Sequence, residues 1–191
     1  MKKMFQGAVF CAIVVLLSLA MSAGSMFAQQ PNSLKENIQQ TADYLYRLID
    51  GDVTASDGSL IVNLIQAGKD CRNLAEQLQA TDWSELTYAQ KAINALAIQL
   101  AGEEADLPAF TGETDLSSEN PYLLCKLLPL LSEGDTELRQ AVIAALKAYY
   151  NRESGNGFDY YGFSADTNGL FCGALAPYAA EDAELAEMLA D

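Results

Sequence analysis

Two carboxylates near the end of the chain best fit acid–base chemistry. Asp159 and Asp166 are seven positions apart, in a segment that reads GNGFDYYGFSADTNGLFCGALAPY from position 155. A glycosidase places two carboxyl groups on either side of the scissile bond. Aromatic rings in the same segment could stack on a sugar or line another ligand site, namely Phe158, Tyr160, Tyr161 and Phe163. One hypothesis is therefore an enzyme cleft, with Asp159 and Asp166 as the candidate catalytic residues.

The same residues also have a structural interpretation. Asp166 lies in the run 164–167, S-A-D-T, directly before an Ala/Leu-rich stretch, where Ser, Asp and Thr commonly cap a helix N-terminus. Asp159 fits a solvated turn residue. The aromatic rings fit a plug at the end of a helical core as well as they fit a shallow ligand site. We favour the structural interpretation for the carboxylates and expect no catalytic pair.

Charge and composition exclude several classes of partner. The chain has 11 basic residues, 26 acidic residues and no histidine, which gives a net charge of -15. Nucleic acids and anionic membrane surfaces are bound through basic side chains, so neither is an expected partner. The spacing D-x-[DN]-x-[DN]-G of a calcium loop does not occur. We therefore predict no metal site and no cofactor, and we read the acidic surface as a solubility feature.

The first 28 residues predict a secretory signal peptide. Lys2 and Lys3 precede an apolar run at 8–20, which is followed by small residues that suit cleavage. That run is shorter than the roughly 20 apolar residues of a spanning helix, so we expect no membrane association after cleavage. Removing two lysines and no acids would change the net charge from -15 to -17. The predicted location is secreted or on the cell surface.

Three cysteines remain after residue 28, at Cys71, Cys125 and Cys172. An odd number at wide spacing is not typical of a disulfide framework. Each lies in an apolar or helical stretch, which favours buried thiols, although one disulfide with a leftover thiol stays open.

Residues 29–191 predict one domain that is nearly all helical. Capping boxes are predicted at 33–36 and 82–85, and Asn120 followed by Pro121 suits a helix start. Pro129 should end or kink its helix, and 103–119, with six acids, reads as a surface loop. The predicted helices cover 33–49, 60–65, 70–79, 82–100, 122–131, 135–149, 164–176 and 181–189.

Similar Ala/Leu steps recur at 92–97, 142–146 and 173–177, which is compatible with α-hairpin repeats. Together with G-N-G-F at 155–158 and S-A-D-T at 164–167, they resemble a repeat of the α/α-toroid superfamily. That superfamily includes terpenoid cyclases, protein prenyltransferases and the helical domain of transcobalamin and intrinsic factor. The likeness is closest to uncharacterised secreted bacterial proteins with such a domain. The resemblance implies an all-α fold of α-hairpin repeats.

The chain departs from the superfamily in its chemistry and its length. It lacks D-x-D-D and D-D-x-x-D motifs, a thioester G-C-G-E-Q motif and any histidine for a zinc site. A complete toroid has about a dozen helices, whereas seven or eight are predicted here. The resemblance therefore implies a partial toroid, completed by further repeats or by a second chain.

The function predicted from the sequence is an exported, non-catalytic binding or interaction module. Its ligand would be a small molecule or a protein partner. The first alternative is an enzyme-like toroid cleft that acts on a carbohydrate or an isoprenoid. The second alternative is a truncated remnant of a larger secreted protein.

Overall fold

A computed structural model describes residues 31–111, 113–153, 157–160 and 164–190. The predicted signal peptide at 1–28 lies outside these residues. In the described ranges, helices follow one another in the order α1 (Pro31–Ile49), α2 (Gly58–Gln66), α3 (Arg72–Gln79), α4 (Tyr88–Leu100), α5 (Pro121–Leu127), α6 (Thr136–Lys147), α7 (Ala165–Leu175) and α8 (Ala183–Ala190). Short 3-10 helices at Leu128–Leu130 and Ala176–Tyr178 extend α5 and α7.

The fold is mostly helical, as predicted, but it also contains a small antiparallel hairpin that the sequence analysis missed. Strand β1 (Tyr150–Asn151) pairs with β2 (Gly157–Phe158), with Tyr150 opposite Phe158. Two-residue strands carry too little alternation to predict from sequence. The hairpin places the aromatic segment against α7.

Four helices form a continuous row through the core. Helix α4 packs on α2 and α5, and α5 packs on α7, while α3 lies against α4 and α6 against α5. Helix α4 is the most enclosed of these, because residues from Ala92 to Ile98 are all buried. A helix buried on several sides needs neighbours on several sides, which explains its central place in the row.

The closest approach in this row is between α2 and α4. A side chain on Gly58 would place its Cβ 2.0 Å from Asn94 Oδ1 and 3.0 Å from the Asn94 Cα. The Asn94 side chain is 2% exposed and donates from Nδ2 to the carbonyl of Ala55 at 2.9 Å. Glycine at position 58 therefore lets the two helices meet across a buried amide.

Several predicted helix ends are confirmed. Helices α1, α2 and α4 are followed by Gly51, Gly68 and Gly102, which all have positive φ, as expected of glycines that stop a helix. At the start of α5, the Asn120 side chain accepts from the Tyr122 backbone N–H at 2.9 Å, with Pro121 in the first turn. Helix α5 ends before Pro129, as predicted.

The predicted capping box at 82–85 is wrong. Helix α4 begins at Tyr88, and its capping box consists of Thr87 and Gln90. Asp82 instead accepts from the Ser84 backbone N–H in a turn, at 2.9 Å. Both stretches have the S/T/D-x-x-E/Q spacing, so the pattern alone did not distinguish them.

The predicted box at 33–36 is also wrong, because α1 already includes Pro31 and Ser33 is therefore inside the helix. Helical periodicity predicts an apolar face of α1 at Leu34, Ile38, Ala42, Leu45, Leu48 and Ile49. This prediction is correct only in part, and Leu34 is 38% exposed. Ala42, Leu45 and Ile49 are buried, whereas Leu48 is 47% exposed.

The 103–119 segment has no helix or strand in its described residues, which confirms the loop. One of its six acids is not at the surface. The Glu119 side chain is buried, and its Oε1 accepts from the Ala89 backbone N–H at 3.1 Å. A carboxylate at a helix N-terminus interacts favourably with the helix dipole, so Glu119 anchors the loop to α4.

In the described ranges, no helix has the length and apolar character needed to cross a membrane.

Candidate functional site

The aromatic segment is built around Phe158. This side chain is 1% exposed and lies 4.8 Å from the Phe171 ring, with Tyr150 at 5.4 Å on another side. The Asn168 side chain fixes the strand to α7, since Oδ1 accepts from the Phe158 N–H at 2.8 Å and Nδ2 donates to its carbonyl. Phe158 therefore packs in the core and presents almost no surface to a ligand.

Tyr160 extends the cluster outward. Its ring packs edge-to-face on Tyr122 at 5.5 Å and on Tyr149 at 5.6 Å. The Tyr122 hydroxyl and the Thr167 hydroxyl are 3.0 Å apart, which connects α5 to α7 beside these rings. Tyr160 is half-buried, so among the described candidates it is the ring with surface to offer. Tyr161 and Phe163 lie outside the described residues.

The two candidate carboxylates occupy different settings. Asp159 is half-buried beside the hairpin, and its backbone N–H donates to the Tyr149 carbonyl at 2.9 Å, so it is not the solvated turn residue expected. Asp166 is exposed in the first turn of α7. The N-cap is Ser164, whose Oγ accepts from the Thr167 backbone N–H at 3.1 Å. The prediction that Asp166 is the cap is therefore wrong, because Ser164 holds that position.

A cleft of about 350 Å³ opens in another part of the fold. It lies between the C-terminal end of α4, the loop that follows α4, and the segment between α5 and α6. Its lining residues are Leu96, Gln99, Leu100, Leu107, Leu130, Ser132 and Asp135. None of these was predicted as a site residue, and the cleft shares no lining residue with the aromatic segment.

The cleft has apolar walls and a polar end whose donors are engaged. Leu100 is 48% exposed, so a large apolar side chain already faces solvent here. The Ser132 hydroxyl donates to Asp135 Oδ2 at 2.7 Å, and the Ser132 N–H donates to the same oxygen at 2.9 Å. Gln99 Nε2 donates to the Ala105 carbonyl at 2.6 Å. These bonds leave acceptor atoms as the main polar feature of the cleft.

Asp135 has no ion-pair partner among the described residues. Arg139, one turn further along α6, donates from its guanidinium to the backbone carbonyls of Ser132 and Leu131. Tyr88 lies near the same carboxylate: burial raises the pKa of its phenol, and the negative charge of Asp135 adds to this rise. The Asp135 carboxylate therefore lies at one end of the cleft, one helical turn from the Arg139 guanidinium and without a direct ion pair among the described residues.

A half-buried amine lies outside the cleft, at Lys126. Its Nζ donates to Ser59 Oγ at 2.6 Å and so joins α5 to the first turn of α2. Burial lowers the pKa of this amine.

The three cysteines within the described residues, Cys71, Cys125 and Cys172, are free thiols. Cys71 and Cys125 are buried, as predicted, and Cys172 is half-buried. Burial raises the pKa of Cys71 to about 11 and that of Cys125 to about 12, so both remain protonated at neutral pH. Across the described ranges, no group of three or more Cys, Asp or Glu side chains is arranged to hold a metal ion.

Comparison of the chain with protein-family models, with curated proteins and with solved structures found no match.

Proposed function

We propose that this chain is an exported, non-catalytic binding or interaction module, and that the cleft beside Leu100 is its binding site. The observation that carries the proposal is an open cavity of about 350 Å³ with apolar walls and one carboxylate, that of Asp135. Concave sites with apolar walls and a few polar groups are typical of small-molecule binding. Glycoside hydrolysis needs two carboxyl groups, and the cleft lining has one.

We further propose that the helices form a partial α/α toroid. The row α2, α4, α5 and α7 supports this proposal at two of its contacts, because α2–α4 and α5–α7 each skip one helix, as counterpart helices of successive hairpin repeats do. Helices α4 and α5 are consecutive and are joined by the 103–119 loop. Helices α3 and α6 flank the row, as the outer helices of such repeats would. On this proposal, the exposed Tyr44 and Leu48 of α1 are where a second chain or further repeats would pack.

The binding proposal is tested by NMR. The ¹⁵N-labelled protein is titrated with a library of small organic compounds, and its amide spectra are recorded at each step. We expect shifts concentrated at the cleft lining, and their loss when Leu100 is replaced by Asn. Leu100 is the suitable position because its exposure makes the substitution mild for folding. Shifts at the hairpin around Tyr160 with none at the cleft would overturn the choice of site. Compound turnover would overturn the non-catalytic assignment.

The toroid proposal is tested separately by light scattering. A dimer that dissociates when Tyr44 and Leu48 are both changed to Ser would support a ring completed by a second chain. A ring completed by a second chain would be refuted if the unmodified protein is a cooperatively unfolding monomer and the double variant has the same free energy of unfolding.

A further inference from the structure

We propose that the cleft beside Leu100 binds a small organic cation, namely a primary ammonium group carried on an apolar body. This inference rests on the proposed binding function and names the class of ligand. The occupant is a free amine of low molecular mass and not a protein segment. Its size, its polar contacts and its charge follow from separate features of the cleft.

The size of the cleft limits the ligand. A volume of about 350 Å³ lies at the small end of ligand pockets, which range from about 300 to about 1,000 Å³. Four leucine side chains make its walls, from Leu96, Leu100, Leu107 and Leu130. Such walls favour an alkyl or similar apolar body, since burying apolar surface stabilises the complex in proportion to the area removed from water.

The polar end favours a hydrogen-bond donor. The Ser132 hydroxyl hydrogen is used by Asp135, and one amide hydrogen of Gln99 is used by the Ala105 carbonyl. Asp135 Oδ2 accepts both bonds from Ser132, while Oδ1 has no hydrogen bond among the described residues. An ammonium group is a donor with no acceptor function, so it matches the free carboxylate oxygen directly.

The charge of the cleft selects a cation over a neutral donor. Arg139 is the nearest basic residue along α6. Its Nη2 donates to the carbonyls of Leu131 and Ser132, while its buried Nε has no hydrogen bond among the described residues. It forms no ion pair with Asp135 in the described part of the chain. The chain also carries a net charge of -15, which raises the local concentration of cations and lowers that of anions. Hydrogen bonds between charged groups are stronger than neutral ones, so the ammonium form gains most from Asp135.

The test compares n-hexylammonium with n-hexanol, which has a similar apolar body and no charge. Both are titrated into the ¹⁵N-labelled full-length chain, purified in the form its expression host produces, and dissociation constants are taken from amide shifts of cleft residues. We expect the ammonium to bind about tenfold more tightly than the alcohol, and its affinity to fall as salt is raised. n-Hexanoate, which carries the opposite charge, should bind more weakly than the alcohol.

Asp135→Asn is the diagnostic variant, since asparagine keeps an acceptor oxygen for Ser132 and removes the charge. It should bring the affinity for hexylammonium to that for hexanol. Glu137→Gln is the matched control, because Glu137 is exposed on the same helix and does not line the cleft, so the same change in net charge should leave the preference intact. Circular dichroism confirms that each variant is folded.

The possible results distinguish a failure of the cation preference from a failure of the proposed binding function. Equal binding of ammonium and alcohol at the cleft would overturn the cation inference and leave the binding function standing. If none of the three compounds changes the amide shifts of the cleft residues, the cation inference is overturned. Whether the cleft binds any small molecule is then decided by the titration with the compound library. An ammonium preference that Glu137→Gln abolishes as fully as Asp135→Asn would assign the effect to net charge and refute a role for the cleft carboxylate.

Discussion

Replacing Gly58 by alanine tests the central packing of this fold, because it adds one methyl group where α2 meets α4. The new Cβ would lie 2.0 Å from Asn94 Oδ1, 2.9 Å from Cγ and 3.0 Å from the Asn94 Cα. Real Cβ atoms do not approach other heavy atoms at the first of these distances. Something must therefore move, and the two available movements have separate costs.

Rotating the Asn94 amide away relieves the shortest contact. It also breaks the bond from Nδ2 to the Ala55 carbonyl, in a setting where the side chain is almost fully buried. Leaving a buried polar group unpaired costs about 1–3 kcal/mol. The contact with the Asn94 Cα belongs to the backbone of α4 and is not relieved by a rotamer change. Moving the helices apart is overpacking, which costs about 1–3 kcal/mol more.

The higher helix propensity of alanine in the first turn of α2 offsets part of this loss in the free energy of unfolding. Relative to glycine, alanine favours a helix by about 0.5–1 kcal/mol, mostly through the unfolded chain. The expected net loss in the free energy of unfolding is therefore about 1–5 kcal/mol. The measurement is urea unfolding followed by circular dichroism.

Gly169→Ala is the matched control for Gly58→Ala. Gly169 lies within α7, and a Cβ there would have no atom within 4 Å. The same chemical change should therefore stabilise the protein, by about 0.5–1 kcal/mol. If Gly58→Ala is as stable as the unmodified chain, α2 and α4 do not approach each other closely at Gly58 and Asn94. A loss of stability in both variants would point to a general effect of replacing glycine by alanine and would contradict a specific clash at position 58.

Three further predictions concern other parts of the core. Leu185 is fully buried and holds α8 on the rest of the fold, so Leu185→Ala should lower the free energy of unfolding by about 2–5 kcal/mol; a loss below about 1 kcal/mol in urea unfolding would mean that α8 contributes little. Burial lowers the pKa of the Lys126 amine from 10.5, so burying the charged amine destabilises the folded protein at neutral pH, and this destabilisation decreases as the pH rises through the folded pKa towards 10.5. The stability of the unmodified chain relative to Lys126→Met should therefore rise over that pH range. A stability difference that does not change with pH would contradict this. In iodoacetamide labelling, the half-buried Cys172 should react before Cys71 and Cys125, and all three should react in urea; rapid labelling of Cys125 in the folded protein would show that its burial is wrong.

Helix ends that depend on neighbouring residues could be predicted from the sequence. Asn120 followed by Pro121 at the start of α5, and Gly102 after α4, contain the whole of their signal within a few positions. The start of α4 could not be predicted in this way, because 82–85 and 87–90 have the same spacing of capping residues. The structure distinguishes them through Trp83, whose ring N–H donates to the Leu78 carbonyl and the Thr81 hydroxyl and keeps this stretch as a turn after α3.

The aromatic segment shows a similar limit. The sequence indicated that these rings serve either as core or as a ligand surface, and it could not assign them one by one. Burial of Phe158 depends on α7, since Phe171 covers its ring and Asn168 binds its backbone on both sides. Asn168 carried no signal of that role, because its position in the sequence is simply the first turn of a helix.

The cleft was beyond sequence reasoning for a reason that also explains its character. Helical periodicity predicts one buried face on α4 through Tyr88, Ile93, Leu96, Ala97 and Leu100. Ile93, Leu96 and Ala97 are indeed buried. Periodicity describes direction around a helix axis but not how far neighbouring elements extend along it. At the C-terminal end of α4 the covering elements give way to a loop, so a residue of core character remains half exposed beside the Asp135 carboxylate. An apolar wall next to a carboxylate that forms no ion pair within the described residues thus follows from where the packing of α4 stops, and this is why we place the binding site there.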